Sequence, residues 1–373
     1  MTQSEPPQRI PVAQPKLCGN EIEYALDAIS SGWISSIGEY IGRFEDHFSR
    51  AVGSQHAASC SNGTVALHLA LLAIGIGPGD EVIVPTLTYI ATANAVRYCG
   101  AVPVFVDCER DTLNLDPEAV DRAVSPRTKA VIAVHLYGHP ADMASLKEIC
   151  DRRHLHLVED AAEALGATAH NNPVGSIGDI ATFSFFGNKI VTTGEGGMVT
   201  TNSEELDARV RLLKGQGQDP RRRYWFEVVG YNYRMTNVAA AIGLAQLEQL
   251  DLHLSDRRRV ARWYDEALSN LDGVIRRPVE RAGYTNVYWL YTIILDDCDH
   301  IDRDTLIKCL DDDGIETRPV FYPMHHMPPY FDSSASMPVA ERAASRGLSL
   351  PSHGHLSESD VDRIATKLQE YIK

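Results

Sequence analysis

Short apolar, β-branched runs alternate with helical patterns over the first two-thirds of the chain, and this alternation restricts the fold more than any other feature. The runs predict strands at 81–85, 102–107, 130–136, 155–159, 181–186 and 197–201, and helices at 64–74, 89–98, 143–153 and 237–250. Strands that are joined through helices form a mostly parallel sheet covered on both faces. The sequence therefore predicts an α/β fold with its ligands at the carboxyl ends of the strands.

The pattern changes near residue 250. A charged helix at 251–271, with Arg257 among its basic residues, is predicted to be a solvated connection, and a strand at 288–295 and three further segments follow it. These segments are a helix at 303–313, a Pro-rich loop at 319–329 and a helix at 358–371. A chain of 373 residues commonly holds two domains. We expect a flexible N-terminal arm at 1–18, a large domain at 19–250, and the connecting helix with a smaller α+β domain at 251–373.

Charge and cysteine content exclude several classes of partner. Lys and Arg total 35 against 50 Asp and Glu, a formal net charge of −15, which disfavours nucleic acid and anionic membranes. The seven cysteines are scattered without a CxxC pair, which is typical of a reducing cytoplasm and offers no zinc spacing. The sequence also lacks a signal-peptide pattern and an apolar run long enough to span a bilayer. We expect a cytoplasmic protein.

Two ionisable residues follow predicted strands and are candidates for chemistry. The strand at 155–159 ends beside Asp160, whose carboxylate either caps a helix or faces a ligand at the sheet edge. Lys189 follows the strand at 181–186 in a loop rich in Gly and Thr. A lysine in this position is either a surface residue or a partly desolvated amine that can form a Schiff base.

A third segment favours the functional reading of both residues. In SCSNGTVALHLALL, 59–72, a loop of small residues opens into an apolar helix, so the amides of Gly63 and Thr64 can bind an anion. Alone, this segment is equally an ordinary helix cap. Together, a phosphate cradle, an acid and an amine are the groups needed to hold pyridoxal 5′-phosphate (PLP).

The chain resembles the DegT/DnrJ/EryC1/StrS sugar aminotransferases, which are fold-type I PLP enzymes. The matching segments include NGTVALHLAL, GDEVIVPTLTYIATANAV, VEDAAEALGA, TFSFFGNKIVTTGEGGM and YNYRMTNVAAAIGLAQLE. The resemblance implies an aspartate aminotransferase-like large domain and a small C-terminal domain.

The resemblance also assigns roles at matching positions. Lys189 would form the Schiff base and move the proton, Asp160 would pair with the pyridine nitrogen, and Tyr89 would stack on the ring. The phosphate would be held by Gly63, Thr64, Ser184 and, from the neighbouring subunit, Asn232. A shared site of this kind implies a homodimer, alone or within a tetramer. Glu163 departs from the Gln or His that is usual in the family, and its carboxylate would have to share a proton beside the phenolic oxygen of the cofactor.

On the substrate side the residues leave alternatives open. The resemblance places Trp33, Ser35 and Ser36 against the sugar nucleotide, although Trp33 could equally be a core anchor. Arg222 lies in RRRYWF, 221–226, which suits a nucleotide diphosphate or is a solvated loop. Three residues near the Pro-rich loop would cover the sugar ring: Arg318, Tyr322 and His325. The pairs His325–His326 and His353/His355 have no carboxylate or cysteine at ligand spacing, so we expect no metal site.

The implied reaction is PLP-dependent transfer of an amino group from L-glutamate to a nucleotide-linked ketosugar. The segments RRRYWFEVVGYNYRMTN and RPVFYPMHHMPPY most resemble the perosamine-forming members, which implies C4 of GDP-4-keto-6-deoxy-D-mannose as the target. The alternative is a UDP- or dTDP-linked 3- or 4-ketosugar. The family's sugar dehydratases carry His in place of Lys189, and a noncatalytic relative would be expected to have lost Lys189 or Asp160.

Overall fold

A seven-stranded sheet forms the centre of the computed structural model, which describes residues 9–372. Its strand order is β1-β9-β8-β5-β4-β2-β3, and smaller sheets have the orders β10-β12-β14-β13 and β11-β6-β7. The strands are β1 His56–Cys60, β2 Glu81–Pro85, β3 Val102–Val106, β4 Thr128–Val134, β5 His156–Asp160, β6 Thr168–Ala169, β7 Asn172–Pro173, β8 Ile180–Ser184, β9 Gly197–Thr201, β10 Ile275–Arg276, β11 Tyr284–Thr285, β12 Tyr291–Leu295, β13 Arg318–Pro319 and β14 Gly347–Leu350.

Helices cover both faces of the central sheet and pack on the C-terminal one. They are α1 Glu21–Ser30, α2 Glu39–Val52, α3 Gly63–Ala73, α4 Ala91–Tyr98, α5 Pro117–Ala123, α6 Met143–Arg153, α7 Glu204–Lys214, α8 Asn237–Leu247, α9 Leu250–Ala267, α10 Arg303–Asp312, α11 Pro338–Arg346 and α12 Glu358–Ile372. Between residues 9 and 372, no helix is both long and apolar enough to cross a membrane.

The predicted α/β class with a mostly parallel sheet is confirmed. Strands β3, β2, β4, β5 and β8 run parallel, and each lies within two residues of its predicted bounds. Strand β9 is antiparallel to β8 and to β1. Within the central sheet β1 was not predicted, because its HAASC sequence lacks the β-branched residues that the other six strands contain.

The predicted description of the connecting helix as solvated is wrong. Helix α9 buries one face, including Leu254, Val260 and Tyr264, and Arg257 is only 6 % exposed. The Arg257 guanidinium donates to the carbonyl oxygens of Trp289 at 2.9 Å and Ser352 at 3.2 Å. A buried cation is tolerated there because its N–H groups donate to these two carbonyl oxygens.

The expected flexible arm also differs from the structure where the structure describes it. Residues 1–8 lie outside the described part, but Ile10 bridges to Ile315, and Ile10 and Val12 are buried. Lys16 forms an ion pair with Asp256 of α9 at 2.6 Å. Residues 9–16 are therefore packed against the C-terminal part of the chain. The domain boundary at residue 250 stays a prediction.

Glu159 fixes the strand that carries Asp160. It is fully buried, and its carboxylate accepts hydrogen bonds from the amides of Gly175, Ile177 and Gly178 at 2.7–2.9 Å. His135 Nε2 lies 3.1 Å from the same carboxylate. Burial opposes ionisation, but His135 and the amides outweigh it and lower the pKa of Glu159. The 175–178 turn is thereby tied to β5.

We predict that Glu159→Gln lowers the free energy of unfolding by about 1.5–3 kcal/mol at pH 7, because one amide then faces an NH₂ group in place of a charged acceptor. The measurement is urea unfolding, with the exposed Glu118→Gln as the matched control.

The pH dependence follows from the lowered pKa of Glu159. A carboxylate with a lowered pKa stabilises the fold above its unfolded value, ordinarily 4.5, and this stabilisation is lost as the pH falls through the folded value. The gap between wild type and Glu159→Gln should therefore narrow below pH 4.5. A constant gap, or no effect at pH 7, would contradict the assigned role.

Candidate active site

A cavity of about 580 Å³ opens at the carboxyl ends of the parallel strands. Asp160 at the end of β5 and Ser184 at the end of β8 lie in its wall, together with Tyr89 in the segment after β2. The C-terminal part of the chain supplies Trp289 and Arg318. The cavity thus lies where ligands bind in parallel α/β sheets.

Lys189 is held in this cavity by the loop that follows β8. Its amide donates to Phe186 O at 2.9 Å, and its side chain is 14 % exposed. The Nζ atom lies 3.8 Å from Glu163 Oε1 and 3.7 Å from the ring centroid of Trp289. Burial lowers the pKa of Lys189, although Glu163 and Asp160 oppose the change. Of the two alternatives for Lys189, the structure therefore matches the partly desolvated amine. A lowered pKa favours the neutral amine, which is the nucleophilic form.

Asp160 is a buried carboxyl group at the end of β5. Thr92 Oγ1 donates to its Oδ2 at 2.9 Å, and the Ala162 amide lies 3.3 Å from its Oδ1. Burial raises the pKa of Asp160 despite these hydrogen bonds. A cation placed in the cavity would restore the ionised carboxylate, so the site fits a protonated ring nitrogen.

Glu163 lies on the other side of Lys189. Its Oε2 accepts the Tyr137 amide at 2.8 Å, and the residue is 4 % exposed. Burial raises the pKa of Glu163 to about 7, against the opposing effects of Lys189 and the Tyr137 amide. The raised pKa favours the protonated carboxyl group more than in an exposed glutamate, which suits a carboxyl that would share a proton with a phenolic oxygen.

The first turn of α3 forms an anion cradle. Asn62 caps the helix by accepting the Val65 amide at 2.9 Å, and Gly63 and Thr64 are the first helical residues, whose amides have no intrahelical acceptor. A Cβ atom on Gly63 would lie 2.8 Å from Ser184 Cβ, so only glycine allows this close approach. In the same cavity wall, the buried Asn188 Oδ1 has no hydrogen-bond partner within residues 9–372. The cradle fits a phosphate, and the open acceptor fits a hydrogen-bond donor on a ligand in the cavity.

The structure divides the predicted site residues into two groups. The cavity wall contains Lys189, Asp160, Glu163, Gly63, Thr64, Tyr89, Ser184 and Arg318. The remaining residues lie outside that wall: Trp33, Ser35, Ser36, Arg222, Asn232, Tyr322 and His325. Trp33 borders a separate surface concavity, and Tyr322 borders a neighbouring apolar one that also includes Tyr89.

His325 is a buried anchor of the Pro-rich loop. Its side chain is fully buried, with Nδ1 2.7 Å from Thr86 Oγ1 and Nε2 3.2 Å from Glu341 Oε1. Glu341 also lies 3.9 Å from His326, so the statement that these histidines lack a carboxylate partner is wrong. Glu341 was not predicted as a partner because it lies on α11, 16 residues after His325, and only the fold brings the two together. Glu341 Oε1 also accepts a hydrogen bond from the Met337 amide at 2.9 Å. Hydrogen bonds therefore explain the position of the Glu341 carboxylate beside the two histidines.

Arg222 and Asn232 belong to an exposed loop between α7 and α8. The Arg222 guanidinium lies 4.0 Å from the Trp225 ring centroid, and Asn232 is exposed and pairs with Gly215 through a β-bridge. Buried Lys214 anchors the start of the loop through an ion pair with Glu45 at 3.0 Å. The loop therefore presents cationic and aromatic groups away from its own cavity.

Thr92, Trp289 and Phe321 are among the cavity residues that the sequence did not indicate. Thr92 lies three positions after Tyr89 in TYIAT, in the first turn of α4. Its spacing from Tyr89 on the predicted helix could have indicated that it faces the same cavity. Trp289 and Phe321 come from the C-terminal part, and nothing in the local sequence connects them with Lys189. Their position depends on long-range packing.

Comparison with known proteins agrees with this geometry. The chain is 53% identical over 365 residues to a GDP-perosamine synthase from Caulobacter vibrioides, covering 98% of each chain, and 48% identical over 362 residues to one from Escherichia coli O157:H7, covering 97% of this chain and 98% of the other. The solved structure of the aminotransferase TlmJ from Streptoalloteichus hindustanus matches with a TM-score of 0.91 at 35% identity, covering 97% of this chain and 98% of that one.

A family model covers nearly the whole chain. The match extends over residues 15–369, and the expectations of a sugar aminotransferase with this fold are confirmed. The chain belongs to the DegT/DnrJ/EryC1/StrS aminotransferase family.

Proposed function

We propose that this protein transfers the amino group of L-glutamate to C4 of GDP-4-keto-6-deoxy-D-mannose, forming GDP-perosamine and 2-oxoglutarate. The observation that carries the proposal is the convergence of Lys189, Asp160 and Glu163 beside the anion cradle in one cavity. The choice of sugar is supported by three relatives, 46–53% identical along nearly their whole length, that are named GDP-perosamine synthase.

PLP fits the residues of the cavity and is the proposed cofactor. When bound, it supplies an electron sink for negative charge at the reacting carbon. Gly63, Thr64 and Ser184 would hold its phosphate, Asp160 would keep the pyridine nitrogen protonated, and Tyr89 would cover the ring. Lys189 Nζ would attach the cofactor and carry a proton to and from the reacting carbon. The raised pKa of Glu163 allows its carboxyl group to share a proton with the phenolic oxygen.

The proposal includes a homodimer with shared sites. Asn232 is exposed and outside its own cavity wall, as expected for a residue that serves a neighbouring subunit. Ile22, Leu26 and Ile29 form an exposed apolar stripe on α1 that is suited to a subunit contact. All seven cysteines are free thiols, which favours the reducing cytoplasm where nucleotide sugars and glutamate would be available.

A UDP- or dTDP-linked ketosugar remains the second candidate substrate. A relative from Acidithiobacillus ferrooxidans, 42% identical over 324 residues, is named as a 3-aminotransferase of a UDP-linked sugar. The shared chemistry of the cavity does not discriminate between the two, since specificity depends on contacts with the sugar and base.

The function is tested by incubating PLP-loaded protein and glutamate with GDP-, UDP- and dTDP-linked ketosugars. We expect amination of the GDP-linked 4-ketosugar, with the nitrogen located at C4 by NMR, and no turnover by Lys189→Ala. Lys147→Ala, which removes an exposed lysine on α6, is the matched control. Preference for another nucleotide, or amination at C3, would reject the proposed substrate but keep the aminotransferase.

The shared site is tested by subunit complementation. Lys189→Ala and Asn232→Ala chains, each inactive or impaired alone, are mixed under conditions that exchange subunits. A mixed dimer would have one doubly altered site and one intact site, so isolated mixed dimers should recover about half of wild-type activity per dimer. Absence of recovery, with exchange demonstrated by differential tagging, would mean that Asn232 serves its own chain.

The exposed loop is the proposed holder of the diphosphate, because the protein is acidic overall and binding must depend on local donors. Arg222→Ala should raise the KM for the nucleotide sugar about 10- to 150-fold, the value of a charge-assisted hydrogen bond of about 1.5–3 kcal/mol. The glutamate half-reaction, followed by absorbance in single turnover, should be unchanged. Arg122→Ala on α5 is the control. If Arg221→Ala, Arg222→Ala and Arg223→Ala all leave the KM unchanged, the diphosphate binds elsewhere.

A further inference from the structure

The side chain of Trp289 faces the amine of Lys189. The Lys189 Nζ atom lies 3.7 Å from the centroid of the Trp289 ring, well within the range of a cation–π contact. Trp289 precedes β12 and is 4 % exposed, so little of its side chain is open to solvent. The contact connects the C-terminal part of the chain to the reactive amine.

Trp289 is fixed from three directions. Its indole Nε1 donates to Asn188 O at 2.9 Å, and its own carbonyl oxygen accepts from Arg257 Nη1 at 2.9 Å and from Ser352 Oγ at 3.0 Å. The ring also stacks on Tyr137 with an interplanar angle of 16°. Because the ring is held rigidly, its distance to the Lys189 amine is set by the fold.

The other charged groups around Lys189 give its ammonium incomplete compensation. Glu163 Oε1 is 3.8 Å away, but burial raises the pKa of Glu163 to about 7 and that of Asp160 above its usual range. Arg257, on α9, acts in the opposite sense and lowers the pKa of Lys189. The electron-rich ring face is therefore the neighbour that favours the ammonium without depending on a proton equilibrium.

We propose that Trp289 is a positioning residue that holds the Lys189 ammonium against its ring face whenever this amine is not covalently engaged. This inference rests on the proposed role of Lys189, whose amine must leave and return in each half-reaction. A ring face attracts a cation without a directed hydrogen bond, so the amine can leave the ring without breaking one. The rigid ring keeps the free amine beside the cavity.

Two substitutions at Trp289 separate the ring face from the indole N–H. Trp289→Phe and Trp289→Leu both remove the donor to Asn188, but only Trp289→Leu removes the aromatic face. The probe is acetic anhydride, applied to the full chain freed of cofactor over a range of pH. Acetylation at Lys189 is measured by peptide mass spectrometry, and its pH midpoint gives the proton affinity of the amine.

We expect Trp289→Leu to lower the proton affinity of Lys189 about 2- to 30-fold, with Trp289→Phe between it and wild type. Equal shifts in the two variants, or no shift in either, would overturn the proposal. Since the readout needs neither sugar nor PLP, its failure is distinguishable from failure of the proposed function.

Incorporation of fluorinated tryptophan keeps the proposal testable if Trp289→Leu does not fold. Fluorine withdraws electrons from the ring face with little change of shape, so the midpoint of Lys189 should fall progressively from native to monofluorinated to difluorinated indole. The exposed Lys147 gives the internal control in the same digest. A Lys189 midpoint that is independent of fluorine content would refute the contact.

Discussion

Burial of Lys189, Asp160 and Glu163 in one cavity is the constraint on which the rest of the structure depends. Each charged form loses hydration, and hydrogen bonds offset only part of that cost. Asp160 accepts from Thr92 and the Ala162 amide, and Glu163 accepts from the Tyr137 amide. The pKa of each carboxyl rises and that of the amine falls. A set of groups held close to their neutral forms can exchange protons, and it also attracts a ligand that supplies the missing charges.

Glu159, one residue before Asp160, is also a buried acid, but hydrogen bonds from the scaffold stabilise its charged form. Adjacent strand residues point to opposite faces, so Asp160 faces the cavity whereas Glu159 faces the 175–178 turn and receives three amide hydrogen bonds and a contact with His135. The pKa of Glu159 is lowered and that of Asp160 is raised, although both are buried acids at the end of β5. Hydrogen-bond donors, rather than depth, decide which of the two remains a stable anion.

The sequence predicted the parts that are local and missed those that depend on packing. The strands β2 to β5, Lys189, Asp160 and the α3 cradle follow from apolar runs, loop composition and capping, all readable within about fifteen residues. Burial of Arg257 was not predicted, because a charged side chain on a helix is ordinarily exposed to solvent. In the structure its guanidinium donates hydrogen bonds to the carbonyl oxygens of Trp289 and Ser352. His325 was placed over the substrate, but its partner Glu341 comes from another element. Tertiary partners of this kind have no signature at short spacing.

The same distinction separates the reactive residues of the cavity from the two loop residues proposed to contact ligands. Lys189, Asp160 and the cradle lie on the sheet edge and the first turn of α3, where backbone hydrogen bonds and close packing fix them. Arg222 and Asn232 lie on an exposed loop whose start is anchored by buried Lys214. Changes in such a loop cost little stability, because its side chains bury little surface. Because the loop can change while the cavity residues stay in place, the proposed diphosphate contacts of the loop are where substrate preference would be set.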